Sequence, residues 1–294
     1  WDIVKKLEKN SKQSIIAGDD DQAIYKWNGA DADSFINLEG EKVILQQSYR
    51  VPQKIFNVAN NIIKKVKNRV EKNWVPKEDL GEVKYHWEID RVDLSQGEWL
   101  ILARTNLFLE KIAYYLDQND FYFQRRNSTP RVKNIYSLIE NWNKLREGIP
   151  LHYNDYKKIT NKMSKNVDLK SMKHMSKEDF YDMDTLKEKY GLKTDEEWYI
   201  AFDDLGDHEI SKIQKLIKNG EDLSKDPRIK ISTIHGVKGN ERDNVVLITD
   251  LSNAAYYKYL DNPDDENRLF YVGVTRAKKE LNIIYAKTER GYDI

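Results

Sequence analysis

The sequence predicts an α/β fold: a parallel sheet covered by helices on both faces, interrupted by a mostly helical insertion. Three observations carry this. Short apolar runs of strand length alternate with segments of helical periodicity over residues 14–66 and 99–126. The same alternation returns over residues 229–286. Between them, over 127–228, helical spacing and charge-rich connections replace any strand pattern.

The elements follow in chain order. Ser14-Ile15-Ile16-Ala17 predicts a buried strand that runs into Gly18 and three aspartates. Lys42-Val43-Ile44-Leu45 predicts a second strand, followed by Pro52 where a first-turn proline is tolerated. Ile55, Val58, Ala59, Ile62, Ile63 and Val66 then fall at the i, i+3, i+4, i+7 spacing of one apolar helix face. Trp99-Leu-Ile-Leu-Ala103 reads as a strand, and Thr105 or Asn106 is suited to cap the helix carrying Ile112, Ala113 and Leu116. In the insertion, helices are expected over 134–145 and 196–216, the second begun by Thr194-Asp-Glu-Glu197. The C-terminal third gives a strand over 229–234, a loop from Gly236 to Gly239, a strand over 245–248, a helix over 266–276 and a closing strand over 281–285. Alternation of this kind implies a parallel sheet, whose ligands bind at loops leaving the carboxyl ends of its strands.

With 294 residues, the chain can hold two domains. Its 49 basic and 49 acidic residues cancel, so nucleic-acid binding has to come from a local groove rather than a global basic field. The absence of cysteine excludes disulfides, thiolate metal sites and a cysteine nucleophile, and the scattered histidines suggest no metal site. No apolar run approaches 18 residues and no signal-type leader is seen, which makes a cytoplasmic location and no membrane partner the expectation.

Four short stretches carry the chemistry: GDDDQAIYKWNGA (18–30), LQQSYR (45–50), ISTIHGVKGNE (231–241) and ENRLFYVGVTRA (266–277). In this order they resemble motifs III, IV, V and VI of the superfamily 1 DNA helicases of the UvrD/Rep type. The resemblance implies a RecA-like α/β fold. It divides the chain into the end of a first RecA-like domain (1–32), a second RecA-like domain (33–126 and 229–294), and a helical insertion (127–228) at the place of the family's mobile subdomain. It also implies ATP and magnesium as cofactors.

By that resemblance, Gln22, Arg50 and Arg276 act at the γ-phosphate. An amide can donate and accept, and guanidinium forks match phosphate oxygens. Asp19 lies beside the metal–phosphate region, Tyr49 stacks on the adenine, and Glu241 lies near the ribose in a loop that Gly239 allows to turn tightly. On the other side of the same loops, Tyr25, Trp27, Thr233 and His235 hold single-stranded DNA. Tyr25 and Trp27 would share one side of an extended segment, each stacking on a base for roughly 1–3 kcal/mol. Arg268 is expected as a structural ion-pair partner and Tyr271 as packing. The chain departs from the family pattern at Asn28, Ser48, Asn240 and Arg242.

The phosphate loop GxxxxGK[ST] and the acidic magnesium motif of the family do not occur. The expectation is therefore the C-terminal part of a longer ATP-dependent DNA helicase moving 3′ to 5′, inactive alone. The missing N-terminal RecA-like domain holds the main ATP and magnesium ligands, and DNA with a single-stranded tail is the substrate. The insertion would contact a partner protein or the duplex. The alternative is a non-catalytic nucleic-acid or protein-binding module derived from a helicase. A metal hydrolase built on residues 19–21 is a third reading. Repair, replication and phage roles would look alike.

Overall fold

A computed structural model describes every residue except Arg126, Asn127 and Lys238, and the side chain of Trp27. The chain divides into two compact units, one formed by Trp1–Tyr114 with Arg228–Ile294, the other by Tyr115–Pro227.

The first unit is built on parallel strands. They are β1 (Glu82–His86), β2 (Trp99–Ala103), β6 (Ile229–Thr233), β7 (Arg242–Ile248) and β8 (Ala277–Ile284), in the sheet order β1-β8-β7-β2-β6. Every pairing between these neighbours is parallel. Leu100, Leu102, Val245, Leu247, Leu281 and Ile283 point to one face, where they pack with α3 (Gln53–Ile63) and α11 (Pro263–Val274). Trp99, Ile101, Ala103 and Val246, alternating with them, are buried too, so the sheet is covered on both faces. Pro263 opens α11 at its first position, and Asp264, Asp265 and Glu266 complement the positive end of the helix dipole. The helix is then buried from Glu266 to Val274. Before α11, Ser252 caps α10 (Asn253–Asp261) by accepting from the Ala255 amide at 3.3 Å.

Several expectations are corrected. Residues 14–17 and 42–45 are not strands, and Ile15, Val43 and Leu45 are 87%, 76% and 89% exposed. An apolar run becomes a strand only with a ladder partner for its backbone, and neither run has one among the described residues. Only Gln47, just beyond, forms an isolated bridge to Val75. The Thr105 hydroxyl is buried without a partner, so it does not cap α4 (Asn106–Gln118). Strand β1 and helix α10 are additions. At the turn into β1, Gly81 sits at φ +65 with an added Cβ only 2.5 Å from Pro52 Cβ, a close approach only glycine fits.

The second unit opens with β3 (Phe123–Arg125) and is mainly helical: α5 (Arg131–Arg146), α6 (Tyr153–Thr160), α7 (Met183–Lys189), α8 (Trp198–Ala201) and α9 (Asp207–Lys218). Beside these helices, β4 (Leu151–His152) and β5 (Phe180–Tyr181) form a small antiparallel pair that no pattern in the sequence predicts. The helix expected over 196–216 is broken between Phe202 and Gly206, and Thr194 makes a local turn to the Glu196 amide rather than a capping box. Trp142, Tyr156, Leu186, Phe202, Ile213 and Leu216 form a separate core. No helix of the described residues is long and apolar enough to cross a membrane.

Candidate functional site

The site is organised by the end of α11. Arg276 follows that helix and is almost completely buried, at 1% exposure. Its Nε donates to the Val272 carbonyl at 2.9 Å, and one terminal nitrogen donates to Thr275 Oγ1 at 3.3 Å and Gln22 Oε1 at 3.4 Å. All three acceptors are neutral, and no carboxylate among the described residues is in ion-pair contact with it. Burial, followed by the nearby charge of Arg50, pushes its pKa down to about 10, while Glu241 opposes the shift. It therefore remains a cation at neutral pH, held in a dry setting without a paired anion.

Of the other expected nucleotide residues, Gln22 bonds to it, and Arg50, Glu241 and Asp19 lie near enough for their charges to act on it. Arg50 pairs with Glu241 at 3.4 Å, and Lys278 stands 3.9 Å from the same carboxylate. Arg50 is held near the start of α3 because the Ser48 hydroxyl accepts from the amides of Val51 at 3.2 Å and Arg50 at 3.4 Å. Ser48 thus makes a local turn at the position where the helicase motif carries asparagine. Tyr49 is 88% exposed, its ring open to solvent. Gly239 has φ +92, a left-handed conformation that favours glycine. Gln22 Nε2 donates to Asp19 Oδ2 at 2.6 Å, which fixes the amide with its oxygen toward Arg276.

Residues 20–22 form a 3-10 turn, with Asp19 accepting from the Asp21 amide at 3.2 Å. Tyr25 precedes a second such turn, Lys26–Asn28. The extended segment expected there is therefore absent. The Tyr25 hydroxyl donates to the His235 carbonyl at 2.6 Å, and the two rings lie 6.2 Å apart. The Trp27 side chain, expected to stack on DNA, lies outside the described part of the structure. Thr233 Oγ1 accepts from the Gly236 amide at 3.1 Å and shapes the loop carrying His235. Burial, then the charges of Arg104 and Lys258, lower the His235 pKa to about 4, so the ring is neutral at pH 7.

Sequence reasoning missed the partners of the three aspartates. Arg69 grips Asp21 with two bonds, at 2.8 and 2.7 Å. Lys72 lies among all three carboxylates, 3.1 Å from Asp19 and 3.0 Å from Asp21, and bonded to Asp20 as well. The Val70 amide donates to Asp20 Oδ2 at 2.8 Å. Arg268, expected as an ion-pair partner, instead donates to the carbonyls of Asp20, at 3.0 Å, and Asn68. Tyr271 packs in the core as expected. The available signal was Arg69 and Lys72 three residues apart in a basic tract, matched by three consecutive acids elsewhere. These acids are thus neutralised by cations of the chain itself. Among the described residues, no group of three or more His, Cys, Asp or Glu could hold a metal ion.

Two family models match. Residues 102–288 match the UvrD-like helicase C-terminal domain, and residues 1–42 match the UvrD/REP helicase N-terminal domain. The chain is 32% identical over 107 residues to the ATP-dependent DNA helicase PcrA of Bacillus subtilis (strain 168), covering 34% of this chain and 14% of that protein. It is 31% identical over 106 residues to the protein of that name from Staphylococcus aureus (strain Mu50 / ATCC 700699), covering 34% and 14%. Against the Staphylococcus epidermidis protein it is 32% identical over 128 residues, covering 36% and 18%. The matched stretch is thus a small part of each relative's length.

Proposed function

The chain belongs to the UvrD-like helicase C-terminal domain family, and from that premise we propose that it is the second motor domain of an ATP-dependent DNA helicase. It completes an ATP site whose phosphate loop lies on another domain. The observation that carries this reading is Arg276, a buried guanidinium with only neutral acceptors, next to Gln22 and under the influence of Arg50. A buried cation of this kind carries a desolvation cost that an arriving phosphate oxygen offsets.

The roles rest on the motif resemblance, and the contacts in the structure support them. Arg276 and Arg50 stabilise charge that develops on the transferred phosphoryl group. Arg50 would exchange Glu241 for the phosphate, leaving Glu241 for the ribose with Lys278 beside it. Gln22, oriented by Asp19, would position the attacking water. Tyr49 offers an exposed ring to the adenine. Magnesium, which the family implies, supplies charge neutralisation at the phosphates. The aspartates of residues 19–21 do not fit as its ligands, since cations of this chain already engage them. Tyr25 ties the Gln22 loop to the His235 loop, so this hydrogen bond would help to join nucleotide state to single-strand grip. Movement 3′ to 5′ is the polarity that motif resemblance supports, and the chain alone hydrolyses no ATP.

The test is ATP hydrolysis by the full-length natural polypeptide, with and without a single-stranded oligonucleotide. Turnover stimulated by DNA is expected, and Arg276→Ala should lower it by about 10³-fold or more. A variant with wild-type turnover would remove Arg276 from the chemistry and with it this reading.

A further inference from the structure

The cation cluster on residues 69–72 is unused by the reading above, yet it is joined to the site by an unbroken set of contacts. Lys72 Nζ bonds Asp19 Oδ1 at 3.1 Å, Asp19 Oδ2 accepts from Gln22 Nε2 at 2.6 Å, and Gln22 Oε1 accepts from Arg276 at 3.4 Å. We infer that Lys72 is a positioning residue: it holds Asp19 so that the Gln22 amide keeps its oxygen toward Arg276 and the place of the attacking water. Lys72 acts through Asp19 and not on the nucleotide directly.

Two features make this more than a surface ion pair. Asp20 and Asp21 are 2% and 1% exposed, so two of the three like charges are gathered where water cannot screen them, with Asp19 half-buried beside them. Lys72 is the cation that meets all three. Arg69 locks Asp21 from its other side, while the Val70 amide and Arg268 fix Asp20. Asp19 is itself tied by Lys72 and by the Asp21 amide, and the Gln22 amide cannot flip without losing its bond to Asp19. A free Gln22 side chain would sample several rotamers and present the wrong group to Arg276 for much of the time.

The inference rests on the proposed role of Gln22 and Arg276, and the experiment separates the two. Steady-state ATP hydrolysis by the full-length protein is measured for Lys72→Met, Gln22→Ala, the double variant, and Arg276→Ala. Lys72→Met should lower kcat by up to about 10²-fold with KM for ATP little changed. The double variant should be no slower than Gln22→Ala alone, because both changes act through one amide. Unchanged kcat in Lys72→Met, or multiplied losses in the double variant, would overturn the inference. Should Lys72→Met fail to fold, Lys72→Gln removes the charge while keeping a hydrogen-bonding side chain and enters the same cycle. There too a kcat loss absent from the Gln22→Ala background is expected, and multiplied or absent losses count against the inference. Wild-type turnover in Arg276→Ala would instead sink the reading on which it stands.

Discussion

At the scale of single residues, His235 gives the sharpest pH prediction. Burial and two nearby cations lower its folded pKa to about 4, below the ordinary value of 6.5. The unfolded chain therefore binds the extra proton between those values, and stability rises with pH through that window. The contribution is fully present above pH 6.5 and is lost as pH falls toward 4. Because the ring is only partly buried and solvent screens it, the loss at pH 5 is on the order of 1 kcal/mol. His235→Gln should be less sensitive to acid, so thermal melts of the two proteins at pH 7 and pH 5 should show the smaller drop in the variant. Equal drops would mean that His235 is not the group responsible. This burial was not legible in the sequence, where a loop histidine among glycines looks solvent-facing. The meeting of Gln22 with Arg276 was legible only through motif resemblance, since the two are 254 residues apart and no local pattern connects them.

At the scale of elements, periodicity read well wherever an element buries a face. The strand over 99–103, the helix behind Pro52 and the helix before Arg276 all have their apolar sides in one core. It misled where apolar residues have no neighbour, as at residues 14–17 and 42–45, because pattern reports the tendency to be buried and not the presence of a partner strand. Strand β1 escaped for the opposite reason: as an edge strand with Glu82 and Tyr85 exposed, it has no apolar run to see. The ion cluster that fastens the 3-10 turn at residues 20–22 to the segment after α3 is likewise a tertiary fact. Arg69→Leu should expose its importance, since it leaves the Asp21 carboxylate, 1% exposed, without its two-bond partner. Removing one member of a buried pair costs about 3 kcal/mol. The urea midpoint should fall accordingly, and a change within error would show that Lys72 alone satisfies Asp21.

At the scale of the whole molecule, the two units differ in what holds them. The first is a sheet whose strands come from distant parts of the chain, so it requires both of its segments, Trp1–Tyr114 and Arg228–Ile294. The second is one continuous stretch, Tyr115–Pro227, with mostly local helical contacts and its own buried cluster. Trp142, fully buried in that cluster, packs edge-on against Phe202 and donates its indole hydrogen to the Glu196 carbonyl at 3.0 Å. A contiguous segment with a closed core of this size is within the range that folds independently. Residues 115–227 expressed alone should therefore unfold cooperatively in urea, with the Trp142 indole hydrogen strongly protected from exchange. The helical pattern, being local, should also form faster than the parallel sheet of the first unit, whose pairings span long sequence separations. A broad, non-cooperative transition with a rapidly exchanging indole would mean that the cluster depends on the rest of the chain. In that case the insertion could not be treated as a module added to the α/β unit.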